Sequence, residues 1–566
     1  MGRKVSRREF IKEGGRLGAG FYLFSNFPFF GASDEPIYDI LIVNGTVVDG
    51  IQDKTYQADV AIAQERIVAV GNLRGRKAKL VINAQGKIVS PGFIDIHSHS
   101  DMAHIVNPGA HSKVRQGITT ELVGNCGSSI FPRKPLTDEE KRRMEERYGV
   151  VVEVTDLAQY RKLLKSQGIS VNNATLIGQG TLREYVMGMR PDPPTEKELS
   201  LMKEEVEKAM REGAFGISTG LEYTPSGFAR IDELIALAES AAGYGGIYAT
   251  HMRSEDRRLI EAVKEAITIS HRSGASLEIS HLKAVGRDNY WKLDKVLEII
   301  HRASQVGIPV NADRYPYTAY STGLTINFPQ WAFEGGLEEF IKRLKNKATR
   351  ERMRKETEAK VKAGNGWDSL MIVDVQNEDN KYLIGKRLGK AAKEKGVDPY
   401  EFACDLLISE EGDVAIVGFG MSEKNTEKVL ADPLVMLCTD GSALATTGPL
   451  SRGMPHPRNF GSFPRFLKRY VREKKLVSLP TAIKKMAAMP AAKMDLMDRG
   501  RIEKGCYADI VIFDLDRIDD RATYTDPKRY PVGIDYVIVN GVIVIKKGEH
   551  TGARPGKVLN GPAIKG

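Results

Sequence analysis

The chain has 566 residues, of which 42% are hydrophobic and 28% are charged, and this balance excludes a disordered or fibrous protein. Its net charge is +10, but six basic and two acidic residues fall within the first 33 positions, so the remaining excess is too thinly spread to predict a nucleic-acid surface. The cysteines, at positions 126, 404, 438 and 506, form no CxxC pair, which argues against a disulfide framework or a zinc ribbon.

The chain begins with features of an export signal. Residues 5–12 read VSRREFIK, and a short, weakly apolar stretch rich in Gly and Phe follows. This arrangement resembles a twin-arginine signal, which we assign to residues 1–33. The apolar stretch is shorter than the roughly 20 residues of a spanning helix, so no stable membrane span is expected after processing. We therefore expect the protein to be periplasmic or extracellular. The alternative is that these residues are a basic, disordered N-terminal segment without a signal function, in which case the protein is cytoplasmic.

The two ends of the remaining chain share a β-like pattern. Runs such as YDILIVNGTVVDG near the start alternate apolar and polar residues, and a similar pattern returns in ADIVIFDLD and DYVIVNGVIVIKKGEH. We predict that residues 37–90 and 500–557 form one small β-sandwich domain. The intervening residues 91–499 would then be a separate unit.

That middle unit alternates β-rich runs with segments of helical periodicity, as βα units around a parallel sheet do. Eight candidate strands are present, at 91–100, 118–126, 173–181, 214–223, 246–252, 276–283, 308–317 and 433–441. The pattern predicts an α/β fold of the (β/α)8 TIM-like barrel type. The connection after the seventh strand, residues 322–432, is too long for a bare loop, and we predict an inserted lid subdomain there.

Metal-ligating residues fall at the ends of five of these strands. Because the carboxyl ends of barrel strands converge on one small volume, such residues are best judged together. Imidazole, thiolate and carboxylate groups are the ligands of zinc, and their joint placement predicts a zinc site. The candidate ligands are His97, His99, Cys126, His251, His281 and Asp440.

Several motifs together resemble one family. PGFIDIHSHSD, GNCGSS, GLEYTPSGFA, THMRSE, ISHLK, TDGS and HPRNFGSFPRFL are similar to the D-aminoacylase (N-acyl-D-amino-acid deacylase) branch of the amidohydrolase superfamily. The resemblance implies one tightly held zinc on Cys126, His251 and His281, and a possible second, weaker position near His97, His99 and Asp440. It also implies that Cys126 replaces the carboxylated lysine of many relatives, and the fourth strand run, AFGISTGLEY, contains no lysine.

Asp440 is the candidate catalytic residue, as the general base that takes a proton from water and passes it to the leaving amine. Lys283 shares the strand face of His281, and Arg458 follows the last strand, so both are candidates to bind a substrate carboxylate. The resemblance adds Tyr223, Tyr315 and Ser321 to the expected substrate-binding residues.

The leading hypothesis is zinc-dependent hydrolysis of a small molecule, an N-acyl-D-amino acid, to a carboxylate and a free D-amino acid. A D-specific dipeptidase and a hydantoinase-like cyclic-amide hydrolase are alternative enzymes, and a catalytically silent barrel that binds envelope peptides or metal is a third possibility. Two departures from the family pattern predict a different substrate preference: Gln179 stands where a histidine is frequent, and residues 441–455 form a longer segment.

Overall fold

Strands from the two ends of the chain pair in one sheet in the computed structural model, which describes residues 37–564. Strand Ile88–Pro91 joins the two halves, because it runs parallel to the first strand and antiparallel to Ile510–Phe513. Alkyl side chains from both halves pack into one buried cluster, which includes Ile42, Ile62 and Ile538. The strands are Tyr38–Val47, Tyr56–Ala63, Arg66–Gly71, Ala78–Asn83, Ile88–Pro91, Ile510–Phe513, Ile534–Val539, Val542–Lys546 and Glu549–His550.

The middle of the chain forms the barrel. Neighbouring strands are parallel, and the first and last strands are joined by a bridge between Ser98 and Gly441. The amide of His99 donates to the Gly441 carbonyl at 3.0 Å, and the amide of Asp440 donates to the His97 carbonyl at 2.9 Å. The barrel therefore closes at three of the candidate metal ligands. The eight strands are Phe93–Asp95, Ile118–Val123, Asn172–Thr175 with Ile177–Gly178, Gly216–Gly220, Ile247–His251, Ser276–Ile279, Val310–Arg314 and Val435–Leu437.

Amphipathic helices surround these strands. Helix Glu196–Arg211 shows why they form: Thr195 and Glu198 make a reciprocal capping box at its start, and Met202, Val206 and Met210 are buried on one face. The other barrel helices of eight or more residues are Asp138–Tyr148, Leu157–Gln167, Gln179–Met187, Ile231–Ala242, Leu259–Ser273, Lys292–Gln305, Glu423–Ala431 and Arg458–Arg465. Shorter helices are Ala103–Val106, His111–Val114, Leu479–Ile483 and Met489–Lys493, and π-helical turns are Phe466–Glu473 and Lys484–Ala488.

The connection after the seventh strand has a sheet and a core of its own. Its central strand, Ala415–Gly418, is antiparallel to both Tyr320–Gly323 and Leu370–Asp374. The helices Leu337–Lys345, Lys347–Ala363, Leu388–Glu394 and Pro399–Ser409 enclose a separate buried cluster that includes Phe340. The predicted fold class, a TIM-like barrel with a β-domain from both chain ends and an insertion after strand seven, is confirmed.

None of the helices within residues 37–564 combines the length and the apolar character that a membrane-spanning helix requires. The predicted export signal, residues 1–33, lies outside the described residues.

Candidate active site

The six candidate ligands, from five strand ends, meet at the carboxyl face of the barrel. Cys126 lies at their centre, with Sγ 3.3 Å from His97 Nε2 and 3.5 Å from His281 Nε2. Two groups of ligand atoms each fit within 4.8 Å: the first is His97, His99, Cys126 and Asp440, and the second is Cys126, His251 and His281. The shared thiol therefore joins two potential metal positions.

The backbone is strained at three of these residues. Cys126, His281 and Asp440 have φ values of 52°, 36° and 49°, in the left-handed region that residues with a side chain rarely adopt. Each such residue costs about 1 kcal/mol or more and persists only where the surroundings enforce it. Gly220 is required beside this turn, because a Cβ there would collide with the Cys126 carbonyl oxygen. The GNCG turn is thus held against the end of the fourth strand.

Buried carboxylates contact the outer nitrogens of two ligand histidines. His97 Nδ1 lies 3.3 Å from Asp313 Oδ2, and His281 Nδ1 lies 2.8 Å from Glu255 Oε1. Such outer partners fix the orientation of a ligating imidazole. Asp313 also accepts the backbone amide of His281 at 2.7 Å and so supports its strained backbone.

The donor set fits a zinc ion. Both ring nitrogens of His251 are buried and have no hydrogen-bond partner within residues 37–564, and Nε2 lies 4.0 Å from Glu222. Buried polar atoms are normally satisfied, so an imidazole without a partner beside a thiol and a second imidazole indicates that these groups bind a ligand. Sulfur and nitrogen donors in this combination are those that zinc prefers.

The charges around the site favour the ionised thiol and carboxyl. Burial raises the pKa of the Cys126 thiol, but the charges of His97 and His281 outweigh it and hold that pKa well below its usual value. Burial likewise disfavours the Asp440 carboxylate, yet Arg458 and the imidazoles keep its pKa well below the usual range. Burial lowers the pKa of His251. The charge of Glu255, together with the other groups around the ring, raises it more, so that the pKa of His251 is about 10.

A buried cation braces the seam between the first and last strands. The Lys113 ammonium, fully buried, lies 2.7 Å from Asp95 and 2.9 Å from Glu121. It also donates to Thr439 Oγ1 at 2.8 Å and to the Gly441 carbonyl at 2.9 Å. Lys113 therefore ties together the segments that carry His97, His99 and Asp440.

All five predicted substrate-binding residues line a cavity of about 450 Å³ above the ligands, which we call the first cavity. They are Tyr223, Lys283, Tyr315, Ser321 and Arg458. Insertion residues, among them Ile326 and Lys360, form part of its wall. The volume lies within the usual range for small-molecule sites, roughly 300–1,000 Å³.

The five differ in how they are engaged. Arg458 donates to Asp440 Oδ2 at 2.6 Å and to the Ser321 carbonyl at 3.3 Å, while its Nε has no partner in the described chain. The Lys283 ammonium contacts Glu255 and the His281 ring, so it is held inside the site. Tyr223 shares a 3.1 Å hydrogen bond with Thr322.

The buried Tyr315 hydroxyl makes no hydrogen bond to any described residue, and Arg458 lies over its ring at 4.9 Å. This hydroxyl and the Arg458 Nε are polar groups left for a ligand. His456 positions the arginine, because its Nδ1 accepts the Arg458 amide at 2.9 Å.

Four residues of the site were not predicted from the sequence: Glu222, Glu255, Asp313 and Lys113. Glu255 follows His251 by four residues and Asp313 lies in the seventh strand, so buried acids near strand ends were a usable signal. Gln179 is not among the residues that line the first cavity. Its side chain donates to Glu233 at 2.9 Å and accepts from Ser226 in a buried network. The next two residues, Gly180 and Thr181, do line the cavity.

Comparisons with known proteins agree on one family. The model of the amidohydrolase family matches residues 80–315 and 435–545. An N-acyl-D-glutamate deacylase from Alcaligenes xylosoxydans xylosoxydans is 33% identical over 92% of this chain and 96% of its own length. A D-aminoacylase from the same organism is 31% identical over 93% of this chain and 98% of its own length.

A solved structure extends the agreement to three dimensions. It is the N-acyl-D-glutamate deacylase from Bordetella bronchiseptica, in complex with zinc and a phosphonate inhibitor that mimics the tetrahedral intermediate. The two chains are 32% identical, and the match covers 93% of this chain and 100% of the other with a TM-score of 0.78. Fold, clustered ligands and near full-length similarity lead to one conclusion. The chain belongs to the D-aminoacylase (N-acyl-D-amino-acid deacylase) family of amidohydrolases.

Proposed function

We propose that the protein is a zinc-dependent hydrolase of N-acyl-D-amino acids. The observation that carries the proposal is the convergence of Cys126, His251 and His281 with Asp440 at the base of the first cavity. The family supplies the substrate class, since its relatives are named for N-acyl-D-glutamate and other D-amino acids. The same likeness favours a linear amide over the cyclic amide of a hydantoinase.

Cys126, His251 and His281 would hold the tightly bound zinc, and His97, His99 and Asp440 would border a second, weaker position. When bound, zinc polarises the amide carbonyl and lowers the pKa of water to about 7. Asp440 would take the proton from the attacking water. The water oxygen bonds to the carbonyl carbon, the C–N bond breaks, and Asp440 returns the proton to the departing nitrogen.

The remaining residues bind the substrate. Arg458 can receive the amino-acid carboxylate through its fork of N–H donors, with the Tyr315 hydroxyl and Lys283 beside it. Tyr223 and Ser321 border the same space. We assign the insertion within residues 322–432 the role of a lid, because insertion residues form one wall of the first cavity. Helix Glu423–Ala431, at the end of this range, packs with the barrel and is not part of the lid.

The test is the release of free amino acid from N-acetyl-D-methionine, N-acetyl-L-methionine, a D-dipeptide and a hydantoin. We expect hydrolysis of the D-acyl substrate alone, loss of activity after chelation and recovery with zinc. Cleavage that survives complete metal removal contradicts the proposal, and preferential cleavage of the dipeptide or hydantoin supports the corresponding alternative enzyme.

Asp440→Asn separates a hydrolase from a binding protein. We expect kcat to fall roughly 10²–10⁴-fold, the usual contribution of a general base, while substrate still binds. Asp53→Asn is the matched control, because the Asp53 side chain is 85% exposed and lies between the first two strands of the β-domain. Unchanged kcat in Asp440→Asn contradicts the assigned role.

We also propose export by the twin-arginine route, on the strength of Arg7, Arg8 and the weakly apolar stretch that follows. The expected location is the periplasm or the exterior. Cell fractionation of the full chain and of a double variant, Arg7→Lys with Arg8→Lys, tests this. Retention of the double variant inside cells supports the proposal, and equal distribution of both chains contradicts it.

A further inference from the structure

A second cavity, of about 360 Å³, meets the first at the catalytic centre. Both cavities are lined by His99, Ser321, Asp440 and Arg458, so they extend in different directions from the candidate base. Nothing in the proposed reaction of an N-acetyl substrate uses this second space. A methyl group fills only a small part of it.

The walls of the second cavity come from two apolar clusters. On the barrel side, Ala103, Leu444 and Leu450 belong to the cluster that packs around the first and last strands. On the insertion side, Val373 and Met454 belong to the small cluster beneath the three-stranded sheet. Apolar side chains from both sides therefore line the second cavity, together with polar residues such as Ser442, His456 and Asn459.

Charged side chains lie at the outer rim of this cavity. Arg147 is exposed and pairs with Asp413 of the insertion at 3.0 Å, and Arg452 is exposed and bonds to Gln376. Asp374 lies between these arginines and is half-buried. Beyond the shared Arg458, the second cavity thus has no buried lysine or arginine among its lining residues to hold a substrate carboxylate.

The two cavities differ in the chemistry they suit. The first contains the Lys283 ammonium and the Tyr315 hydroxyl, donors that suit the carboxylate of the amino-acid half of the substrate. With the carboxylate in the first cavity and the scissile amide at Asp440, the acyl half would extend into the second cavity, beside Leu444 and Leu450. Burial of one methylene group of the acyl chain against apolar side chains increases the affinity roughly fourfold.

We propose that the second cavity is the acyl subsite and that the enzyme prefers linear acyl chains of medium length over acetyl. This inference rests on the proposed function and adds to it, since the names of the relatives specify the amino acid and not the acyl chain. Segment 441–455 supplies much of the wall, which gives the long connection after the last strand a role in specificity.

The experiment measures kcat/KM for acetyl-, butyryl-, hexanoyl- and octanoyl-D-methionine with the zinc-loaded enzyme. We expect an increase of roughly two- to fourfold for each added methylene. A flat or falling series overturns the acyl subsite while the activity on the acetyl substrate leaves the deacylase function standing. Absence of hydrolysis across the series overturns both.

Met454→Trp tests the location, because the larger side chain projects into the second cavity from a half-buried position. We expect the octanoyl-to-acetyl ratio of kcat/KM to fall at least tenfold. Met497→Trp is the control, since Met497 is 61% exposed and lines neither cavity. An unchanged octanoyl-to-acetyl ratio in folded Met454→Trp overturns the assignment of the second cavity as the acyl subsite. If Met454→Trp does not fold, the same ratio is measured in Leu444→Trp, with the same expected fall.

Discussion

At the scale of single residues, the site depends on groups that contact the ligands as much as on the ligands themselves. Cys126 is shared by both ligand groups, and His281 is held from two sides by Asp313 and Glu255. The sequence predicts Lys283 as a carboxylate binder, and the structure places its ammonium on Glu255 within the site. Glu255 therefore links a ligand to a substrate-binding candidate.

Glu255→Gln is expected to weaken zinc binding roughly 10–100-fold, as loss of an outer carboxylate partner usually does. The amide no longer balances Lys283 or orients His281 through an ionic contact. Competition with a zinc-binding dye measures the affinity directly. Glu146→Gln, at a side chain that is 62% exposed, serves as the control. Equal zinc affinity in all three proteins contradicts the role given to Glu255.

At the scale of elements, barrel closure and site assembly are the same event. The hydrogen bonds that join the first and last strands involve His97, His99 and Asp440, and Lys113 binds the adjoining segments from behind. The ligands were predictable from the sequence, because strands have a recognisable periodicity and the ends of parallel strands converge. Lys113 was not, because one lysine in a short helix gives no sign that its charge is buried between Asp95 and Glu121.

Lys113→Met should destabilise the fold strongly, because it leaves two buried carboxylates without their cation. Removal of one partner from a buried ion pair costs about 3–5 kcal/mol in the free energy of unfolding. Denaturant unfolding measures the loss. Lys79→Met, where the side chain is 72% exposed, should change stability by less than about 1 kcal/mol. Similar stability of the two variants contradicts the bracing role.

At the scale of the whole molecule, the barrel supplies the ligands and the insertion supplies the opposite walls of both cavities. The fold class could be predicted from the sequence, because the β-like runs at both ends and the eight βα units have recognisable patterns. The insertion was predicted from its length and its helical patterns. Its three-stranded sheet and its contacts with the site depend on long-range packing that local patterns do not encode.

The insertion reaches the barrel through Lys360, whose Nζ lies 3.5 Å from Glu222 Oε2 beside His251. Lys360→Met should raise KM for N-acetyl-D-methionine up to about fivefold, the range of a partly exposed ion pair, with little change in thermal midpoint. Lys362→Met, exposed on the same helix, is the control. Identical KM values for the two variants argue against a closing contact at Lys360.

The zinc K-edge X-ray absorption spectrum of the purified protein tests the proposed metal site directly. We predict a sulfur scatterer at about 2.3 Å with nitrogen or oxygen at about 2.0–2.1 Å. The sulfur signal should vanish in Cys126→Ser and persist in Cys404→Ser, a cysteine buried in the insertion. A spectrum of nitrogen and oxygen ligands alone in the unmodified chain contradicts the metal site on which the proposed function depends.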